Sequence, residues 1–166
     1  LPPELIAQAP ASERAASRLL RVASSGELQD RAFRDLPSLL APADLLVLND
    51  TRVIKARLRG RKDTGGEVEV LVERLRDERC AVAHVRASKT PKPGRRIVFA
   101  PGIEAEVTGR CDDLFELRFH AGMPLLDVLA VHGEVPLPPY ITHEPRAEDE
   151  VRYQTVFARV PGAVAA

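Results

Sequence analysis

Asn49, Asp50, Thr51 and Arg52 follow directly on the apolar run Leu45-Leu46-Val47-Leu48. An uninterrupted apolar run of this kind is the pattern of a strand buried on both faces. Short polar side chains satisfy backbone groups at the end of such a strand. An amide, a carboxylate, a hydroxyl and a guanidinium are thereby delivered at the lip of a buried sheet, where α/β domains bind their ligands. The same tetrapeptide also reads as a solvated turn, because turn chemistry alone accounts for Asn and Asp.

The next residues could do a different chemistry. Lys55, Arg57, Arg59 and Arg61 share one parity, and Ile54, Ala56, Leu58 and Gly60 share the other. Alternate side chains of a strand point to opposite faces, and same-face neighbours lie ~6.6 Å apart. Four outward cations at that interval roughly match successive phosphates of a nucleic-acid strand, with a small apolar face turned inward. The competing reading is an outer strand whose cations pair with Glu67, Glu69 and Glu73 on its neighbour.

A second basic region runs without an acid from Arg79 to Ile103, and its inner cations include Arg86, Lys89, Lys92, Arg95 and Arg96. Residues 88–94 read as a proline-bearing loop able to grip a nucleic-acid backbone. Aromatic residues are not interleaved there, so base stacking is not expected. The net charge of zero hides this asymmetry. Residues 52–102 carry fourteen Lys/Arg against six Asp/Glu, and residues 103–151 carry three against eleven. A basic face attracts polyanions; side-by-side packing of the two segments would neutralise it.

Several chemistries are unsupported. Neither a G-x-G-x-x-G after a strand nor a P-loop occurs, and Gly65-Gly66 reads as a hairpin turn. Cys80 and Cys111 have no C-x-x-C partner, which points to a reduced, cytoplasmic protein without a disulfide. His84, His120, His132 and His143 show no metal-ligand spacing, so no metal site is expected. No apolar stretch approaches the ~20 residues of a membrane span.

The elements that must position these residues are short. Fourteen prolines and ten glycines against 4% aromatic residues indicate many turns. Arg18 to Ala23 and Leu28 to Phe33 read as strands around Ser24-Ser25-Gly26, and Asp35 reads as the N-cap of a short helix through Leu40. Residues 45–48 form the next expected strand. Six strands are then expected within about seventy residues: the basic strand, Glu67 to Val70, Ala81 to Arg86, Arg96 to Ala100, Ile103 to Thr108 and Leu114 to Phe119. So many short strands favour a closed barrel, because closure removes exposed edges. Leu125 to His132 reads as a helix stopped by Gly133, and PLPPYI after it as extended chain. The expected fold is therefore α/β plus all-β. Residues 1–52 and 136–166 belong to one discontinuous α/β domain, and residues 53–135 form an inserted barrel of about six strands.

Three segments, DLLVLNDTRVIKARLRG (44–60), PLPPYI (136–141) and RYQTVFARVPGAVAA (152–166), resemble in order and spacing the S-adenosylmethionine:tRNA ribosyltransferase-isomerases of queuosine biosynthesis. LPPELIAQ, SRLL, TGGEVEVLV and KPGRRIVF add weaker likeness, so the resemblance covers nearly the whole chain. It departs from the family pattern at Lys55, where proline is usual, at Val151, where an acid is usual, and at Ala163, where serine is common. The resemblance implies that the chain corresponds to the N-terminal half of such an enzyme.

What the resemblance implies for chemistry is specific. The ribosyl group of S-adenosylmethionine, the cosubstrate, passes to the aminomethyl group of a 7-deazaguanine at the tRNA wobble position. Adenine and methionine leave, and the product is epoxyqueuosine. The reaction calls for a base beside the sulfonium, an acid near the departing adenine and donors to the ribose oxygens. Asp50, Arg52 and Tyr153 are the catalytic candidates, and Asn49, Thr51, Arg152, Gln154 and Thr155 the substrate-binding ones. The tRNA-binding candidates are Lys55, Arg57, Arg59, Arg61, Lys89, Lys92, Arg95 and Arg96. Tyr153 reads equally as a core aromatic with a tethered hydroxyl, and Tyr140 reads as a packing residue. The partner implied is tRNA, with no membrane and no obligate protein partner evident. The alternative function is a non-catalytic RNA-binding barrel module, since fold does not settle function.

Overall fold

The computed structural model describes residues 2–163. The chain divides into two compact units, Leu1–Leu48 with Pro139–His143, and Asn49–Pro138 with Glu144–Ala166.

In the first unit, β1 (Arg18–Val22) and β2 (Leu28–Ala32) form an antiparallel hairpin. Gly26 sits in its turn at φ 84°, a conformation only glycine adopts without strain. A 3-10 helix follows over Phe33–Leu39. Asp35 is not its N-cap. It stands two residues inside the helix and reaches back, so that the Ala32 N–H donates to Asp35 Oδ2 at 3.0 Å. Gln8 links the start of the chain to residues 140–143: its Nε2 donates to the Tyr140 carbonyl at 3.0 Å, and Thr142 N–H donates to its Oε1 at 2.9 Å. Tyr140 itself is 56% exposed, so it is not the packing residue that its proline-rich surroundings suggested.

Residues 45–48 are not a strand. They pair with no other segment among the described residues, and Leu45, Leu46, Val47 and Leu48 are 53–87% exposed. Apolarity records what a strand could bury. A ladder also needs partner backbone on either side, and the described residues place none there.

The second unit contains the barrel. Strand β3 (Thr51–Val53) precedes it, and β4 (Arg57–Lys62), β5 (Glu67–Leu75), β6 (Cys80–Ala87), β7 (Arg96–Ala100), β8 (Ile103–Cys111) and β9 (Leu114–His120) close in the order β4-β5-β6-β9-β8-β7. All six pairings are antiparallel. The six strands that alternation predicts are all present, and the β4–β7 seam completes the ring. Gly60 makes that seam possible, because a Cβ there would lie 2.6 Å from the Val98 carbonyl and 2.8 Å from the Phe99 ring. Inward positions bury Leu58, Val68, Val70, Val72, Ile97, Val107 and Leu117, and Phe99 stacks on Phe119 with centroids 5.7 Å apart.

The helix α1 (Leu125–His132) has the bounds expected from the sequence. Leu125, Val128 and Leu129 join the barrel core, each leucine contributing about 1.5–3 kcal/mol of burial. Gly133 ends α1 at φ −83°, not in the left-handed region expected of a glycine stop. Its lack of a side chain serves close packing instead, since a Cβ would collide with the carbonyls of Lys55 and Leu129. A short helix α2 (Ala147–Arg152), not foreseen from the sequence, precedes β10 (Val160–Ala163), which pairs in parallel with β3. The Asp149 carboxylate fastens the start of α2, accepting from the Arg146 N–H at 2.8 Å. Cys80 and Cys111 are both free. No helix among the described residues is long and apolar enough to cross a membrane.

Candidate functional site

Two of the sequence motifs meet around β3. Residues 49–53 and 152–160, a hundred positions apart, are joined by backbone and side chain alike. Val160 and Pro161 pair in register with Thr51 and Arg52. The Arg159 and Val160 N–H groups both donate to the Asp50 carbonyl, at 2.7 and 3.2 Å. Thr155 Oγ1 donates to the Asn49 carbonyl at 2.9 Å. Gln154 makes the most complete link: its Oε1 accepts from Val53 N–H at 2.8 Å and its Nε2 donates to the Val53 carbonyl at 3.0 Å. One side-chain amide thus imitates a peptide group of a neighbouring strand.

These bonds sort the candidate residues. Asn49 Oδ1 accepts from Thr51 N–H at 2.9 Å, the local bond of an Asx turn. Asp50 keeps its carboxylate half-exposed and pairs with Arg159 at 3.3 Å. Arg159 was not singled out from the sequence, although it lies within the third matched segment. Arg52 is exposed and forms no ion pair among the described residues, while Thr51 is half-buried. Tyr153 is half-buried at the C-cap of α2, its N–H donating to the Asp149 carbonyl at 2.9 Å, and Arg152 is the last residue of that helix.

A cleft of about 380 Å3 opens beside this junction. Arg52, Val53, Gln154 and Pro161 line one side, and Leu126, Leu129 and Ala130 of α1 another. Lys55 and Glu150 stand at the same cleft as an ion pair with N–O 2.7 Å. A larger cleft of about 1000 Å3 lies against the barrel wall, with Arg59, Arg61, Lys62 and Arg86 facing Asp63, Glu67 and Glu69. The smaller cleft is the better site for small-molecule chemistry, because Arg52 and Gln154 line it, although Asn49, Asp50, Thr51, Arg152, Tyr153 and Thr155 are not among its lining residues.

The basic strand lies on the outer face of the barrel, as its parity requires, but its cations are engaged. Lys55 precedes β4 and pairs with Glu150. Arg57 is only 17% exposed at its side chain, with Nη2 donating to the Leu137 carbonyl at 3.0 Å and Nε 3.9 Å from Glu69. Arg59 joins Glu134 and Glu144. Burial works to lower the Arg59 pKa, but those two carboxylates outweigh it and hold the pKa above the usual guanidinium value. Arg61 stands 3.9 Å from Glu67, its cross-strand partner. The two competing readings of this strand therefore overlap. It faces outward, and neighbouring acids already occupy it.

The second basic region is more open. Arg95 pairs with Asp63 at 3.1 Å and Arg96 with Glu104 at 3.5 Å, both partly exposed. Lys89 and Lys92 are exposed on the 88–94 loop and take part in no ion pair among the described residues. Gly94 turns this loop at φ 83°.

A family profile described as "Queuosine biosynthesis protein" matches residues 1–166, the whole chain. The chain belongs to that family. It is 59% identical over all of its length to an S-adenosylmethionine:tRNA ribosyltransferase-isomerase of Thiobacillus denitrificans, covering 48% of that protein. A protein of the same description from Nitrosospira multiformis is 55% identical over 167 aligned positions, again all of this chain and 47% of the relative. The chain thus spans about half the length of the curated relatives it matches. A crystal structure of S-adenosylmethionine tRNA ribosyltransferase from Thermotoga maritima aligns with 72% of this chain and 42% of its own, at 38% identity and a TM-score of 0.38.

Proposed function

We infer that this chain is the N-terminal half of an S-adenosylmethionine-dependent tRNA ribosyltransferase-isomerase of the cytoplasm. On this reading the ribosyl moiety of the cosubstrate passes to 7-aminomethyl-7-deazaguanine at the wobble position of tRNA, and epoxyqueuosine is formed. The observation that carries it is the pairing of residues 49–53 with residues 152–160, beside a cleft that Arg52, Val53 and Gln154 line. Two segments that define the family resemblance, distant in the chain, are held together by backbone pairing. The names of the relatives supply the reaction class.

The roles follow from chemistry and exposure. Asp50 is the carboxylate available to take a proton beside the sulfonium, since its ion pair is with an exposed arginine. Arg52 and Tyr153 are the remaining polar candidates for the reacting centre. Asn49, Gln154 and Thr155 spend their side chains on backbone, so they shape the site. Thr51 and Arg152 complete the substrate-binding set. Lys89 and Lys92, with Arg95, Arg96, Arg59 and Arg61, form the tRNA-facing surface, to which Lys55, paired with Glu150 at the cleft, and Arg57, only 17% exposed, contribute least. The first two are immediately available to phosphate.

The domain organisation belongs to the same reading. Residues 1–52 and 136–166 are parts of a discontinuous α/β domain, and residues 53–135 are the barrel inserted into it. The parallel pairing of β3 with β10 supports the insertion of the barrel between residues 51–53 and 160–163, because parallel strands require a crossover and the whole barrel lies within this one; residues 1–48 form a separate compact unit.

The decisive experiment incubates the intact protein with S-adenosylmethionine and tRNA bearing the aminomethyl deazaguanine, and follows adenine release and the mass of the wobble nucleoside. Adenine release with a ribosyl-derived mass increase is expected. Tight tRNA binding with neither product would establish the RNA-binding module instead.

A further inference from the structure

The cleft beside β3 carries a pattern of charge that the reaction class alone does not assign. Its floor is aliphatic, with Ile54, Leu129 and Val135 among the lining residues. Two opposite charges line it without an ion-pair partner among the described residues: Arg52 on β3 and Asp127 in the first turn of α1, both exposed. The other two charges there, Lys55 and Glu150, already neutralise each other at 2.7 Å.

A cleft with spare charge of one sign selects an ion of the other. This one has a spare cation on one wall, a spare anion on another and aliphatic carbon between. It matches a zwitterion that carries a short apolar chain. A polyphosphate is disfavoured, because Arg52 and Lys55 are balanced there by Asp127 and Glu150 and leave no net positive charge for it. A purine is poorly served, because no aromatic side chain among the described residues lines the cleft to stack on it. The volume of about 380 Å3 lies at the lower end of small-molecule sites.

Resting on the functional reading above, we propose that this cleft holds the α-amino-acid end of the sulfonium cosubstrate, with Arg52 taking the carboxylate, in place of a role at the reacting centre, and Asp127 the ammonium. The methylene chain that runs to the sulfonium lies on Ile54, Leu126 and Leu129, and the nucleoside projects away from α1. This arrangement leaves methionine bound by the wall opposite the departing adenine.

The test is titration calorimetry on the intact protein with two ligands, S-adenosylmethionine and 5′-methylthioadenosine, which lacks the amino-acid end. Arg52→Gln and Asp127→Asn are each expected to weaken S-adenosylmethionine roughly tenfold or more, the loss of one charge-assisted bond, and to leave methylthioadenosine within about twofold. Ala130→Phe, which fills the cleft from an exposed helix position, is expected to do the same. Thermal unfolding confirms that the variants are folded. Undiminished S-adenosylmethionine affinity in all three variants, or equal losses for both ligands, overturns the proposal while leaving the functional reading intact. Failure of the native protein to bind S-adenosylmethionine at all overturns both.

Discussion

Replacing Gln154 with alanine removes a side chain that bonds both backbone groups of Val53. Its two hydrogen bonds, 2.8 and 3.0 Å, link positions 101 residues apart. Each such bond contributes about 0.5–1.5 kcal/mol net, and a buried backbone group left without a partner costs about 1–3 kcal/mol. Val53 is 4% exposed, so water cannot readily replace the lost amide. The variant should therefore lose roughly 2–4 kcal/mol of local stability, concentrated at the β3–β10 junction. Amide hydrogen exchange of the intact protein measures this directly, as faster exchange at Val53 and at Val160 with little change in the barrel strands. Gln154→Glu should recover at most one of the two bonds, because a carboxylate can accept from the Val53 N–H but cannot donate to its carbonyl. If Val53 exchange in Gln154→Ala stays within a factor of about two of native, a change well under 1 kcal/mol, Gln154 does not hold the two motifs together.

Asp50→Asn should lower turnover at least about a hundredfold by single-turnover kinetics while changing stability by less than about 0.5 kcal/mol, since its exposed pair with Arg159 contributes little. Near-normal turnover would remove Asp50 from the reacting centre. Replacing Lys89 and Lys92 together with alanine should weaken tRNA binding and reduce the slope of log affinity against log salt by about 1–2, because each phosphate left unneutralised changes it by roughly 0.7–0.9; an unchanged slope places the tRNA elsewhere. Asp77 tests the barrel's pH dependence. Backbone N–H groups of Arg79 and Cys80, both 2.7 Å from its Oδ1, hold its pKa below the ordinary carboxylate value. Its contribution is present above the unfolded-state pKa and is lost as pH falls through the lower folded value. Denaturant titrations should therefore show the native protein losing its advantage over Asp77→Asn only at acid pH, and a constant difference across that range would refute the assignment.

The barrel was legible because alternation is a local code. Glu67-Val68-Glu69-Val70 specifies which face is wet without reference to any partner, and the same rule placed Leu58 and Ala56 inside and the arginines outside. Helix α1 was legible within the bounds expected of it, Leu125–His132, although Gly133 after it serves close packing and not a left-handed stop. The segments 44–60, 136–141 and 152–166 were legible as a family pattern, and that resemblance agreed with the match over the whole chain.

Tertiary structure decided what those residues do with their side chains. Gln154 and Thr155 look like ligand donors in one dimension, yet they bond backbone of residues 49–53, because a parallel pair assembled from distant segments leaves groups that must be satisfied, and Asn49 Oδ1 closes a local Asx turn. The cations on β4 face outward as their parity requires, but which acids meet them depended on register and on the return of residues 134 and 144 to the barrel wall. Residues 45–48 mark the limit from the other side. Hydrophobicity states what a segment can bury, while hydrogen bonding to a neighbouring strand is a property of two segments and is written in neither alone.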